Sequence, residues 1–331
     1  MINGEALMVA PTETLLQAAL RQGIDFPYSC RVGGCASCKC KLVSGQVKAL
    51  TEASYVLSES ELDEGYILAC QSMPLTDVRI QVDLTAHAQK RSVKGRVVAQ
   101  QKLTHDITYL NVQLDETLNY KAGQFADISF DSLDGVVRSY SFATPSQSDS
   151  QCSFFIKKVS GGLLSSHVHD ASMIGHHVVV EGPMGDFWLR PADAPLLMVA
   201  GGSGLAPILA ILQENVTIET TRPVTLLFGA RQQQDLYAID EIKAIGAAWN
   251  GNFRFVPVLS HEPSQSGWAG ERGLVTEKIS AFAEAGTHAY LCGPPAMIDH
   301  AMHVLTQQGV AKQHIHADRF TNRQDGALAV A

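Results

Sequence analysis

The sequence predicts three consecutive units: an α+β unit, an antiparallel β-barrel, and a doubly wound α/β unit with a parallel sheet. Three observations carry that prediction. Cysteines gather near the N-terminus, with one regular spacing and one distant partner. From Val93 to about Leu189 the apolar segments are short and β-like, punctuated by Gly, Asp and Pro, as in an antiparallel barrel. From Pro195 onward strand-like and helix-like segments alternate, as in a parallel α/β sheet. At 331 residues the chain has room for two or three domains and more than one buried core.

Composition narrows the function. Apolar residues make up 46% and charged residues 18%, ordinary for a globular chain. The net charge of −8 argues against a general nucleic-acid binder, which needs clustered Lys and Arg against phosphate. No apolar run approaches the ~18 residues of a membrane span. The densest, Pro195-Leu-Leu-Met-Val-Ala200, runs into glycines. The start, Met1-Ile-Asn-Gly-Glu-Ala, has no basic stretch and carries Glu5, so no secretory signal, a cytoplasmic location and no membrane partner are expected. Nothing in the charge or apolar pattern demands an oligomer, and a monomer is permitted.

The first unit is expected over residues 1–86. Its helix is expected over Glu13–Gln22, with Thr12 as N-cap and Gly23 just past the end. Of the seven cysteines, Cys30, Cys35 and Cys38 read C-x4-C-x2-C, and Cys70 follows after 31 intervening residues. This is the plant-type 2Fe–2S spacing, so these four are the expected ligands and the unit is expected to be a β-grasp-like ferredoxin. Two irons and two sulfides need four thiolates, three from one tight loop and one from afar. Gly33 and Gly34 let the loop wrap closely, and small Ala36 and Ser37 leave amides free to face sulfur. A zinc knot usually needs two C-x2-C or C-x2-H pairs, and only one is present. A Rieske centre needs two histidines in place of two cysteines, and none follows a cysteine at that spacing. An odd cysteine count argues against a disulfide framework. Cys40 alternates with Cys38 and reads as a packing residue. The acidic run Glu59–Glu64 reads first as a solvated helix face, with a docking patch for a basic partner as the alternative.

A polar stretch around Thr85–Ser92 places a linker at 87–93. The barrel is expected over 94–190 and the α/β unit over 191–320, with a loose tail at 321–331. Strand Leu196–Ala200 runs into Gly201-Gly-Ser-Gly-Leu-Ala-Pro207 and a helix. Glycines at a strand-to-helix turn let phosphate approach the backbone, and the helix N-terminus supplies N–H donors. The spacing is not the full G-x-G-x-x-G, so a plain tight turn stays open.

Three further stretches complete an ordered set: Arg138-Ser-Tyr-Ser141, Gly161-Gly-Leu-Leu-Ser165 and Cys292-Gly-Pro-Pro-Ala-Met297. With the glycine loop they resemble the ferredoxin–NADP reductase superfamily. With the cysteine unit in front, the chain to about Phe320 resembles the iron–sulfur flavoprotein reductases of bacterial aromatic-ring oxygenases, naphthalene and terephthalate dioxygenase reductases among them. The resemblance implies FAD as a cofactor and a pyridine dinucleotide as reductant. It implies that Arg138, Ser139 and Tyr140 hold the flavin and its pyrophosphate, with Ser141 near flavin N5. Gly161, Gly162 and Ser165 would hold the pyrophosphate, with Lys157 in the same cofactor-binding set. Gly201, Gly202 and Gly204 would cradle the dinucleotide, and Cys292, Gly293 and Pro294 would line the nicotinamide. Ser141, Cys292 and Asp318 form the implied catalytic set. Asp318 and Phe320 resemble an acidic-x-aromatic ending that meets the flavin where the aromatic closes the chain. Here eleven residues follow Phe320, and a simple strand-end Phe is an equal reading.

The dinucleotide is a question of charge. A 2′-phosphate wants basic partners, whereas a free 2′-hydroxyl accepts an acid. Where NADP-using relatives carry Ser-Arg, this chain reads Ser260-His-Glu262, with Arg231 nearby. NADH is therefore expected. The paired histidines, such as His314 and His316, are expected to be structural or surface residues. The implied function is electron transfer from NADH through FAD and 2Fe–2S to a terminal Rieske aromatic-ring oxygenase, directly or through a small ferredoxin. A soluble di-iron monooxygenase as acceptor, a pure iron–sulfur carrier and a stand-alone dehydrogenase are the alternatives.

Overall fold

The computed structural model describes residues 1–24, 26–28, 32–33, 37–53, 56–57, 59–82, 90–218 and 220–320. It separates into two compact units, Met1–Lys90 with Met184–Asp186, and Arg91–Pro183 with Phe187 onward.

The first unit carries α1 (Leu15–Arg21), β1 (Lys39–Ser44), β2 (Val47–Ala49), α2 (Glu59–Asp63), β3 (Tyr66–Leu68), β4 (Ser72–Pro74) and β5 (Arg79–Gln81). Strand β1 lies between β3 and β5, and β2 pairs with β4. Leu15, Leu16 and Ala19 of α1 pack with Ile2, Phe26, Leu68 and Ile80. The cap is Thr14 rather than Thr12. Thr12 sits at φ 70°, a turn conformation, while Thr14 and Gln17 form a reciprocal capping box, Gln17 N donating to Thr14 Oγ1 at 3.3 Å and Thr14 N to Gln17 Oε1 at 2.9 Å.

The second unit opens on β6 (Arg91–Lys102), followed by β7 (Ile107–Leu114), β8 (Phe125–Phe130), β9 (Val137–Ser141), β10 (Gln151–Lys157), α3 (Leu163–Asp170) and β11 (His177–Met184). Of the connector expected at 87–93, residues 87–89 lie outside the described residues, and Arg91, Ser92 and Val93 are already strand. The sheet order is β10-β7-β6-β11-β8-β9. An antiparallel bridge between Phe142 and Phe154 links its two edges, so the sheet curls into a barrel.

Next come β12 (Leu196–Gly201), α4 (Leu205–Thr217), β13 (Val224–Ala230), α5 (Ile239–Ala248), β14 (Phe253–Leu259), β15 (Glu271–Arg272), β16 (His288–Gly293), α6 (Pro295–Gln307) and β17 (Ile315–Arg319). They form a sheet of order β15-β14-β13-β12-β16-β17 with parallel pairs throughout. Strand β12 is buried on both faces. Leu196, Met198 and Ala200 face one core, and Leu197 and Val199 the other, which is why this strand reads as an unbroken apolar run. Chain order reverses at β12, between β13 and β16, and α/β sheets bind ligands outside such a switch point.

Helix α4 is buried nearly all round. One side meets the parallel sheet, and the other meets Ile107, Ala122, Ala143, Phe155 and Phe187 from the barrel side. The two sheets therefore share one core, and they count as one compact unit. Phe155 is central to this, lying edge-on to Tyr237 at 5.3 Å and against Tyr109 at 6.2 Å. Phe155→Ala should destabilise the protein by about 3–5 kcal/mol in chemical denaturation. A loss below about 1 kcal/mol would sink the shared-core account.

Candidate active site

In the first unit, Cys38 ends the loop before β1 and Cys70 sits in a tight turn over Ala69–Gln71. Both are buried. Cys30 and Cys35 lie outside the described residues. The amide of Cys70 donates to Cys38 Sγ at 3.5 Å, and Gln71 Nε2 reaches Cys70 Sγ at 3.7 Å. Such donors are what thiolates bound to iron need. Gly33 sits at φ 82°, and a Cβ there would meet Gln71 Cγ at 2.8 Å. Gly33 thus presses against the residue beside Cys70 with no room for a side chain, and so close a backbone fits a small cluster. Cys40 pairs with Ile67 and is buried in the unit's core. Burial, then the charge at Cys70, pushes its thiol up to about 12. The acidic run finds partners at home. Lys39 Nζ lies 2.6 Å from Glu61, and Lys41 Nζ lies 3.8 Å from Glu64.

In the second unit, three elements converge. Strand β9 ends at Ser141, which is 6% exposed, and its hydroxyl donates to Asp318 Oδ2 at 3.5 Å. Asp318 on β17 stands beside Cys292 on β16 in register. Cys292 is fully buried. Burial, then the charge of Asp318, holds its thiol well above the usual range, so it stays neutral. Further back on β9, Arg138 and Tyr140 share one face, as the two-residue period requires. Arg138 Nη1 donates to the Val137 carbonyl at 2.6 Å, and among the described residues no carboxylate pairs with it. Burial raises the Tyr140 phenol, so it is neutral. Ser139 Oγ donates to Asp127 at 2.6 Å, tying β9 to β8.

Gly161 sits at φ 71°. Gly162 precedes α3, and a Cβ there would strike Ser165 Oγ, which itself accepts from Val159 N at 3.2 Å. No side chain caps α3, so its first amides suit a phosphate. Arg138 and this uncapped turn are each donors of the kind a flavin pyrophosphate takes.

Strand β12 ends at Gly201, and a tight turn over Gly202–Gly204 leads into α4. A Cβ on Gly204 would run into the Cys292 carbonyl, and one on Gly201 would lie 2.6 Å from Met297 Sδ and 3.2 Å from Pro294 Cδ. These glycines let the β12 and β16 loops pack together, and no side chain caps α4. Lys157 ends β10, paired with Asp106 at 3.5 Å and close to Gly202. Phe320 packs against the shared core, and its amide donates to the Gly293 carbonyl at 2.9 Å.

At the ends of β13 and β14, Glu262 accepts from Gln233 N at 2.9 Å and Gln233 Nε2 at 2.5 Å. Hydrogen bonds from Ser266 and Gln233 keep its carboxyl below the usual range. The His261 amide donates to the Arg231 carbonyl at 2.8 Å, which brings the two loops together. Sequence reasoning missed Asp106, Met297 and Tyr237. Tyr237 lies two residues past Asp235 in a turn with no periodic signal, and its hydroxyl donates to the Gly202 carbonyl at 2.9 Å.

The histidines contact protein groups. His169 bonds Thr108 at 2.9 Å, His300 bonds Thr276 at 2.9 Å, and His288 stacks on His314 at 4.2 Å.

Three family descriptions match the chain: a 2Fe-2S iron-sulfur cluster binding domain over residues 1–75, an oxidoreductase FAD-binding domain over 94–188 and an oxidoreductase NAD-binding domain over 198–303. The chain is 41% identical to the xylene/toluene monooxygenase electron transfer component of Pseudomonas putida, covering 97% of this chain and 92% of that protein. It is 34% identical to a phenol 2-monooxygenase reductase component from a Pseudomonas species, covering 98% and 94%. It is 33% identical to the naphthalene 1,2-dioxygenase system reductase of P. putida, covering 96% of each. Among solved structures, the Amycolatopsis cytochrome P450 reductase aligns with a TM-score of 0.75 at 30% identity, covering 97% of this chain and 98% of that one. The ferredoxin reductase of carbazole 1,9a-dioxygenase aligns with a TM-score of 0.72 at 31% identity, covering 97% of each. No helix among the described residues is long and apolar enough to cross a membrane.

His316, two residues before Asp318, stacks on Tyr290 at 4.7 Å. Burial, then electrostatic interaction with Arg190, His288 and His314, holds its pKa down to about 4 from an ordinary 6.5. A base held neutral when folded contributes stability that is complete above its unfolded pKa and lost as pH falls through the folded one. Stability should therefore fall between pH 6.5 and about 4, and His316→Gln should flatten that part of the curve. Superimposable pH curves for the two proteins would contradict this.

Proposed function

The chain belongs to the reductase components of oxygenase systems, NAD(P)H-dependent electron-transfer proteins with 2Fe–2S, FAD and NAD domains, and on that premise we propose that it oxidises NADH and delivers electrons singly to a hydrocarbon monooxygenase. We assign residues 1–86 to the cluster, 94–190 to the flavin and 191–320 to the dinucleotide. Bound FAD supplies the conversion between hydride and single electrons, which a 2Fe–2S centre takes one at a time. The observation that carries the reading is the meeting of Ser141, Cys292 and Asp318 at the ends of three strands.

The chain's own residues bind, orient and exclude water. Arg138 and the uncapped start of α3 hold a pyrophosphate, with Gly161, Gly162 and Ser165 shaping the turn. Tyr140 presents a neutral aromatic face. The Ser141 hydroxyl, which donates to Asp318, can relay a proton, passing its own to that carboxylate as its oxygen takes up another, and the reverse. Neutral Cys292 closes the floor without adding charge. Gly201, Gly202, Gly204, Gly293 and Pro294 leave backbone open to the dinucleotide, and Lys157 adds positive charge beside it. The Glu262 carboxylate, near Arg231, favours a free 2′-hydroxyl and hence NADH. Cys30, Cys35, Cys38 and Cys70 are the proposed cluster ligands. Phe320 is proposed as a packing residue at the strand end.

Two readings of the acceptor differ in support. Higher identity to the xylene/toluene monooxygenase component than to the naphthalene dioxygenase reductase favours a monooxygenase. The likeness to the carbazole 1,9a-dioxygenase reductase structure supports a Rieske oxygenase as the second reading. Reconstitution with an oxygenase of each type separates them.

An anaerobic NADH titration followed by visible absorbance and low-temperature EPR should bleach flavin and cluster together and give a rhombic iron–sulfur signal. Bleaching by NADPH alone would overturn the choice of NADH, and no bleaching with either would overturn the electron-transfer reading. Cys70→Ser should lose the cluster and its cytochrome c reduction, while FAD content and NADH–ferricyanide activity remain. If both activities persist unchanged, Cys70 is not a ligand.

A further inference from the structure

Tyr237 is 4% exposed and touches residues of three separate segments. Its ring stands edge-on to Phe155 of the barrel at 5.3 Å and to Phe228 of the parallel sheet at 5.6 Å. Its hydroxyl donates to the Gly202 carbonyl at 2.9 Å. That carbonyl also accepts the Leu205 amide at the start of α4. Burial raises the phenol far above its usual range, so the hydroxyl is always a donor.

The Gly202–Ser203 peptide is where this matters. Gly202 sits at φ 56°, in the left-handed region, and a glycine there has little intrinsic preference for which way the next peptide faces. One edge of that peptide is an N–H that attracts a phosphate, and the other is a carbonyl that repels it. A hydrogen bond that holds the carbonyl toward the protein leaves the amide edge for the ligand. The same segment is braced on its other side, where Asp235 Oδ1 lies 3.2 Å from His105 Nδ1 on the barrel loop and Asp235 Oδ2 accepts from the Gln232 amide at 2.9 Å.

We propose that Tyr237 is the positioning residue for the dinucleotide pyrophosphate: its hydroxyl fixes the facing of the Gly202–Ser203 peptide, and its ring sets that turn at a fixed place against the flavin barrel. This rests on the NAD-site reading of the glycine loop.

The test is Tyr237→Phe, which keeps both ring contacts and removes only the hydroxyl. Holoprotein is titrated with ADP-ribose by calorimetry, and NADH–ferricyanide kinetics are measured on the same samples. ADP-ribose affinity should weaken roughly three- to tenfold. KM for NADH should rise in parallel, with kcat unchanged. A merely structural role would lower the active fraction, and so kcat, at constant KM, and that pattern overturns the proposal. Equal ADP-ribose affinity in the two proteins also overturns it. Failure of the wild type to bind ADP-ribose overturns the NAD-site reading itself.

Discussion

The closeness of two strand ends, β12 and β16, is the constraint on which the second unit depends. The Cys292 carbonyl occupies the space a Gly204 side chain would need, and Met297 and Pro294 do the same at Gly201. Only a backbone without side chains lets the two loops meet there. Once they meet, the turn that leads into α4, which no side chain caps, lies beside Cys292, and β17, in register with β16, brings Asp318 to the same place. The barrel contributes the end of β9 with Ser141. The site is thus a by-product of close packing in a sheet interior, where each methylene is felt.

That packing also sets the electrostatics. Cys292 and the phenols of Tyr140, Tyr237 and Tyr290 are all held in their uncharged forms by burial. Among them stands the charge of Asp318, beside Cys292, while the pairs Lys157–Asp106 and His105–Asp235 are more exposed. In surroundings of low dielectric a few fixed charges act strongly, and neutral neighbours keep them from cancelling.

Much of this was legible in the sequence, for particular physical reasons. The cysteine spacing was legible because ligation fixes the reach of a loop. Strand β12 was legible because burial on both faces leaves an unbroken apolar run, and the glycine loop because its residue type is dictated locally. The N-cap was misplaced by two residues, since Thr12 and Thr14 are both plausible caps until the partner Gln17 is noticed. Strand β6 runs to twelve residues where the sequence shows only short segments, because a register shift between Val97 and Ala99 breaks its alternation. Strands β2, β4 and β5, three residues each, carry too few positions for a period. Tyr237 was invisible for a different reason. Its contacts, Phe155, Gly202 and Phe228, belong to segments that meet only after both sheets have formed. Likewise the lysine partners of the acidic run come from a strand twenty or more residues away.

Burial of the spare thiols bears on durability. A protein that handles reducing electrons beside an oxygen-using partner is exposed to reactive oxygen, and oxidants attack a thiol according to its thiolate character and its accessibility. Cys40 and Cys152 are each 1% exposed, and burial lifts both away from ionisation. The fold therefore keeps sulfur chemically silent wherever it serves only to fill space, so the protein's working life in air is set by its cofactors rather than by these side chains.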